Sequence, residues 1–275
     1  MFNRLLHLIY APLRPLPLPR RIYRRLGFRG DYAVRIRPGT TLRLVNPPPH
    51  RGPRVYWDGL YKGTEPQSMR LWTQLVRRAR VIGDVGAYHG IYALTAAALN
   101  PAAHVAAFEP LSLNARILRA NNVLNGSRVD VVQAAVSDRV GEAAFGFNPG
   151  RAPSSGLIAA DNRPEQELVP LTTLAVYCEQ AGLPGFDLLK IDVEMHEPQV
   201  LRGMGAGRPI LLIEVLSDAV GAQIAELLPD YLYYWIDEDH GPRRRERLQR
   251  LAKHSRNYLL CPAEKHDLVE QAVAG

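Results

Sequence analysis

Residues 79–94, ARVIGDVGAYHGIYAL, decide the reading of the fold. An apolar run ends in Asp84, Gly86 and Gly90, and a small-residue helix, IYALTAAALN, follows and stops at Asn100 and Pro101. A buried strand that passes through a glycine turn into a helix is the opening of a βαβ unit. Downstream, HVAAFEP at 104–110 reads as a second buried strand, and Ser112 to Leu124 as a helix with Leu113, Ile117, Leu118 and Leu124 on one face. RVDVVQAAV at 128–136 reads as a third strand. GEAAFGF at 141–147, the loop NPGRAPSSG at 148–156 and LVPL at 168–171 break the rhythm and read as an antiparallel excursion. FDLLKIDV at 186–193, PILLIEV at 209–215, YLYYWID at 231–237 and NYLLCP at 257–262 supply strands four to seven. Upstream, Leu71, Leu75 and Val76 give Met69 to Ala79 an amphipathic helical face. Strands alternating with helices predict an α/β domain: a doubly wound, mostly parallel sheet with helices on both faces. The last two strands flank the basic segment GPRRRERLQRLAKHSR at 241–256 and are expected to form an antiparallel edge pair.

The 275 residues suffice for one such domain, and 47% apolar with 22% charged residues is ordinary for a globular chain. The formal net charge of +7 is uneven: residues 1–54 hold twelve arginines against one acid, Asp31, so they carry +11 and the remainder −4. Residues 1–60 are therefore read as a basic N-terminal arm and 61–275 as the main α/β domain. Within the arm, YAVRIRPGTTLRLV at 32–45 alternates as a hairpin does. Such an arm suits peripheral contact with an anionic membrane or an anionic acceptor. MFNRLLHLIYAPL is interrupted by His7 and Pro12 and lacks a cleavage site, so it reads neither as a signal peptide nor as a membrane span. Phe2, Leu5, Leu6, Leu8 and Ile9 still cover one face, as in an interfacial helix. Cys178 and Cys261 are far apart with no CxxC partner, which fits a reducing cytoplasm, with the arm at the inner face of the membrane.

In an open α/β sheet the ligand sits beyond the carboxyl ends of the strands, where strand order reverses. Asp84, Gly86 and Gly90 end the first strand, and glycine is expected there because a ligand must approach the backbone and the turn leaves no room for a Cβ. Glu109 ends the second strand 23 residues after Gly86, the spacing at which a carboxylate accepts two ribose hydroxyls of a nucleoside. The nicotinamide fingerprint GxGxxG is absent. An acid beside the turn disfavours a diphosphate and suits a cationic nucleoside such as S-adenosylmethionine.

Five ordered motifs carry a resemblance: DVGAYHGIYAL, AFEPLSLNARILRANNVLN, VVQAAVSDRVGEAAF, LLKIDVEMHEPQVLRG and PILLIEV. In this order and spacing the chain resembles the FkbM-type family of S-adenosylmethionine-dependent methyltransferases over roughly residues 60–215. The resemblance implies a class I methyltransferase, Rossmann-like fold and O-methylation of a hydroxyl on a saccharide, glycolipid or natural product. It implies that Asp84, Gly86, Ala87, Tyr88 and Gly90 surround the methionine end of the cofactor and that Glu109 with Pro110 holds the ribose. Ala135, Val136 and Asp138 would then face the adenine, with Asp138 on its exocyclic amine. Three departures stand out. Gly86-Ala87-Tyr88 replaces the usual GAN, Glu194-Met195-His196-Glu197 replaces the end of DVEGAE, and Ala175 replaces the aspartate after TTL.

For catalysis a base is needed to take the hydroxyl proton. His196, beside Glu194 and Asp192 after the fourth strand, is the first candidate and His89 the rival. A second use of the same cofactor, such as N-methylation or aminocarboxypropyl transfer or cyclisation, is the alternative chemistry, and a non-catalytic binding protein the alternative class. No metal is expected, although Asp192, Glu194, Glu197 and Glu214 form a carboxylate set that a hard cation would accept. Asn46 to Pro49, NPPP, lacks the aromatic that base-flipping adenine enzymes stack on the base, so no nucleic-acid partner is expected.

Overall fold

The computed structural model describes residues 30–46, 54–63, 65–147 and 165–274. The proposed interfacial helix at the N-terminus, Pro47 to Pro49 and the loop 148–156 lie outside them.

The first elements of the described residues are a hairpin, β1 (Gly30–Arg37) and β2 (Thr40–Asn46), followed by α1 (Arg54–Asp58) and α2 (Pro66–Leu75). The βαβ core runs β3 (Val81–Val85), α3 (Ile91–Leu99), β4 (His104–Phe108), α4 (Ser112–Leu124) and β5 (Asp130–Val132). β6 (Ala135–Val136), β7 (Gly141–Phe147) and β8 (Glu165–Thr172) form a separate three-stranded sheet, in which β8 pairs antiparallel with β7 and parallel with β6. Then follow α5 (Leu174–Ala181), β9 (Leu188–Ile191), α6 (Glu197–Arg202), β10 (Ile210–Glu214) and α7 (Asp218–Leu227). β11 (Tyr231–Asp237), β12 (Gly241–Arg245), β13 (Asn257–Pro262) and α8 (His266–Ala274) complete the chain.

The main sheet has eight strands in the order β12-β11-β13-β10-β9-β3-β4-β5. β10, β9, β3, β4 and β5 are parallel, and β13 is antiparallel to both its neighbours. This is the Rossmann-like class I methyltransferase arrangement, with β12 added at the edge. Two expectations are corrected. NYLLCP is an interior strand between β10 and β11, and the edge belongs to β12, built from the basic residues read as a connector. An edge tolerates arginines because one side of the strand stays in water. The third strand, RVDVVQAAV, is two short strands in two different sheets.

Strand periodicity explains the two cores. Ile82, Leu188 and Leu212 face one layer with α2, α3, α4 and α8, whereas Val81, Leu189, Leu211 and Ile213 face α5, α6 and α7. The β1–β2 hairpin, read as part of the arm, shares the first core through Tyr32, Val34, Ile36, Leu42 and Leu44 and packs on α3 and α4. Asn121 of α4 and Asn125, which caps its C-terminus, bond the β2 backbone at Val45 N and Arg43 N. Among the described residues no helix is long and apolar enough to cross a membrane, and both cysteines are free and buried.

Candidate active site

A cleft of about 940 Å³ opens where strand order reverses, at the carboxyl ends of β3, β4, β9 and β10. Thirteen of the residues singled out in the sequence line it: Asp84, Gly86, Ala87, Tyr88, His89, Glu109, Pro110, Ala135, Val136, Asp192, Glu194, His196 and Glu214. Gly90, Asp138 and Glu197 are not among the lining residues.

The turn after β3 is tied to β4 by Gly86 N and Ala87 N, which both donate to the Phe108 carbonyl at 3.0 Å. Of the two reasons expected for its glycines, the structure bears out the lack of room for a Cβ. A Cβ on Gly86 would lie 1.9 Å from the Asp192 carbonyl oxygen, and one on Gly90 2.0 Å from Leu118 Cδ1. Both also adopt φ near +80°. The protein's own β9 end and α4 thus exclude a side chain there, before any ligand is considered. Tyr88 takes φ +51° in this turn, and its ring stacks on His89 with centroids 3.7 Å apart.

Asp84 is 2% exposed and accepts a hydrogen bond from Ala93 N at 3.0 Å, capping the first turn of α3. Burial pushes its carboxyl up to about 7, against the pull of Lys190. Glu109 is also buried and pushed up to about 7 by burial. Its Oε1 accepts from Leu111 N and Asn114 Nδ2, and its Oε2 from Tyr88 N at 2.9 Å. A carboxylate offers about four acceptor positions, so one remains on Oε2 where two ribose hydroxyls were expected to bond. Asn114 lines the cleft beside it and offers a second polar group.

The small sheet closes the cleft on the side of Ala135 and Val136, together with Phe145 of β7. Asp138, which does not line the cleft, accepts on Oδ1 from Ser137 Oγ at 3.2 Å, with Arg139 Nη1 3.5 Å from the same oxygen.

At the β9 end, Lys190 is 2% exposed, with its Nζ 3.2 Å from Asp192 Oδ2 and 5.4 Å from the centre of the Tyr92 ring. Burial opposes its charge, but Asp192, Glu65, Glu214 and Asp84 outweigh burial and raise its pKa. Tyr92 in turn donates to Glu65 Oε2 at 2.7 Å. Glu214 is pushed up by burial and by the neighbouring Asp192, and sits 3.4 Å from Arg256 Nη1. Glu197 accepts from Val193 N at 3.2 Å. Of the four carboxylates considered for a cation, Asp192 and Glu214 adjoin each other, Asp192 also meeting Lys190 and Glu214 meeting Arg256, while Glu197 is bonded by the backbone. Among the described residues no group of three histidine, cysteine or acidic side chains is gathered for a metal.

Glu194 and Met195 follow with φ of +54° and +81°, conformations that side chains rarely adopt. With Tyr88 they place three of the four described left-handed non-glycine residues on the two loops that flank the cleft. His196 comes next, just before α6. It is 9% exposed, its Nε2 lies 2.9 Å from Ser137 Oγ, and its buried Nδ1 bonds nothing among the described residues. Burial lowers its pKa, so the ring is neutral near pH 7.

Sequence reasoning passed over Lys190, Glu65, Tyr92, Arg256 and the hairpin residues Tyr32, Leu44 and Val45, all of which line the cleft. Only Lys190 left a signal, as the one cation inside a strand otherwise read as buried. The rest arrive from distant segments.

A family model described as Methyltransferase FkbM domain matches residues 84–239, which span this cleft. The chain is 30% identical over 158 residues to 31-O-demethyl-FK506 methyltransferase FkbM of Streptomyces tacrolimicus, covering 47% of this chain and 61% of that protein. It is 31% identical over 160 residues to the AMB antimetabolite synthetase AmbE of Pseudomonas aeruginosa, covering 45% of this chain and 8% of that much longer protein. The chain therefore matches less than two thirds of the length of either relative. Among solved structures, an S-adenosylmethionine-dependent methyltransferase from Agrobacterium tumefaciens is similar with a TM-score of 0.44 and 12% identity, covering 84% of this chain and 69% of that one.

Proposed function

Because the chain belongs to the FkbM methyltransferase family, we propose that it is an S-adenosylmethionine-dependent O-methyltransferase acting on a hydroxyl of a saccharide, glycolipid or natural product. The observation that carries this reading is the pairing, at one strand-order switch point, of two buried acids with a neutral histidine that has an unengaged ring nitrogen. The residues present suit the cofactor: Glu109 retains an acceptor position for a ribose hydroxyl, Asp84 brings negative charge near a cationic group, and Ala135, Val136 and Phe145 offer an apolar wall for a flat base. When bound, S-adenosylmethionine supplies an electrophilic methyl group on a sulfonium. FkbM of Streptomyces tacrolimicus, by its name, methylates an oxygen, which supports a hydroxyl acceptor here.

The protein's own part is then to bind, orient and deprotonate. His196 accepts the hydroxyl proton on Nδ1, an atom that is buried in this structure and that acceptor binding must open to the cleft, and burial keeps the ring in the neutral form that can do so. Lys190 holds Asp192 and its neighbouring acids in place. His89, stacked on Tyr88, shapes the wall of the cleft. Product mass spectrometry with isotopically labelled cofactor tests the reaction: label in the acceptor with S-adenosylhomocysteine is expected, and methylthioadenosine would overturn it. His196→Ala should lower turnover by about 10²-fold with little change in cofactor affinity, and an active variant with an unaltered pH profile would end the assignment.

A further inference from the structure

His196 is one end of a hydrogen-bonded chain that leads away from the cleft. Its Nε2 meets Ser137 Oγ at 2.9 Å, and Ser137 Oγ donates to Asp138 Oδ1 at 3.2 Å. A serine hydroxyl carries one proton, and an ionised carboxylate only accepts. Arg139 Nη1 lies 3.5 Å from the same carboxylate oxygen. The hydroxyl proton is therefore committed to Asp138, and Ser137 can meet the imidazole only as an acceptor. It follows that Nε2 carries the ring proton and Nδ1 is bare. Nδ1 is buried and bonds no group among the described residues.

The backbone holds this chain in register. Ser137 N donates to Thr172 O at 2.8 Å at the end of β8. The Ser137 carbonyl packs against Gly203, where an added Cβ would lie 2.0 Å from the oxygen. His196 immediately precedes α6 and Gly203 immediately follows it, so both ends of one six-residue helix grip Ser137. Displacement of that helix would move the imidazole and its partner together.

We propose that Ser137 and Asp138 are positioning residues that fix His196 as the Nε2-protonated tautomer, leaving Nδ1 as the base. In the step they serve, the acceptor's O–H bond breaks and an Nδ1–H bond forms, and the positive charge that appears on the ring is stabilised through Ser137 by Asp138. The charged groups acting on the ring are Asp138, which favours its protonation, and Arg139, which opposes it. The inference rests on the reading of His196 as the base. The logic is that of a carboxylate holding a catalytic histidine in its working tautomer, here with a serine interposed.

The test is nitrogen NMR of the full chain labelled at histidine, without cofactor or acceptor, with the His196 signal assigned by its loss in His196→Ala. Wild type is expected to show a protonated Nε2 and a bare Nδ1. Ser137→Ala and Asp138→Ala should each mix the tautomers, the second by freeing the serine proton to turn toward the ring. Asp138→Asn keeps an acceptor for Ser137, so the tautomer should persist while the histidine titrates at lower pH. In turnover, Ser137→Ala and Asp138→Ala should each lose at least about tenfold in kcat with the cofactor KM unchanged. Asp138 is a third exposed, so its variants report even if Ser137→Ala fails to fold. A bare Nε2 in wild type, or tautomers indifferent to both alanine variants, would overturn the relay by itself. The expected tautomers together with full turnover in His196→Ala would instead overturn the base assignment, and with it the relay's catalytic purpose.

Discussion

Replacing Glu109 by glutamine probes the cofactor end of the cleft with almost no change of shape. The carboxylate accepts from Leu111 N and Asn114 Nδ2 on one oxygen and from Tyr88 N on the other. A glutamine keeps one accepting oxygen. Its better placement serves Leu111 and Asn114 and turns an amide N–H toward Tyr88 N–H, leaving a partly buried donor unsatisfied at a cost of about 1–3 kcal/mol. The acceptor position left for a ribose hydroxyl is lost with it. A hydrogen bond to a charged group contributes about 1.5–3 kcal/mol, so the dissociation constant for S-adenosylhomocysteine should rise by about one to two orders of magnitude. Because burial pushes the Glu109 pKa from 4.5 up to about 7, wild type resembles the variant when protonated, and the affinity gap should widen as pH rises through that value. Stability carries the matching sign. A carboxyl with a raised folded pKa contributes stability that is present below about pH 4.5 and lost as pH rises through about 7, a slope the glutamine variant lacks. Calorimetric titration and thermal unfolding at about pH 6 and 8 measure both. Equal affinity and equal Tm in the two proteins at the higher pH would refute the placement of this carboxylate.

Lys190→Met removes the buried ammonium from among Asp192, Glu65, Glu214 and Asp84, and should cost about 3–5 kcal/mol by chemical denaturation, less at acidic pH where those groups can protonate. An unchanged midpoint near neutral pH would contradict the paired charge. Gly86→Ala should fail at the level of folding, because its Cβ would meet the Asp192 carbonyl at 1.9 Å with φ at +80°. A folded variant deficient only in cofactor binding would restore the ligand-approach reading of that glycine. Met195→Gly should raise stability by up to about 1 kcal/mol, since it relieves φ +81° at a half-exposed side chain. A lower Tm would show that the methionine packs usefully. Deleting residues 1–29 should leave cofactor affinity intact and weaken retention on anionic vesicles, whereas deleting 1–46 should weaken cofactor binding, because Tyr32, Leu44 and Val45 line the cleft. Equal cofactor affinity in both truncations would argue against a role for the hairpin.

The strand, glycine turn and helix at 79–94, the acid ending each of the first two strands, and the ordered motifs through PILLIEV were legible in the sequence. Period-two and helical burial patterns, and turns that only certain residues can make, are local properties, and local properties survive without coordinates. They determined the fold class, the family resemblance and the end of the sheet at which to look. What is not local was not legible. NYLLCP has the same pattern whether it is an edge or an interior strand, and only pairing with both β10 and β11 placed it inside. Gly86 is glycine because β9, about a hundred residues later, passes against it. Glu109 has less acceptor capacity to spare than its position suggested, because the backbone around it is already bonded to it. Asp138 and His196 are 58 positions apart in the sequence, and their connection through Ser137 exists only because α6 folds back onto the end of β6. A carboxylate's role depends on which donors surround it and a histidine's on which nitrogen is engaged, and tertiary packing settles both by bringing distant segments within hydrogen-bond reach.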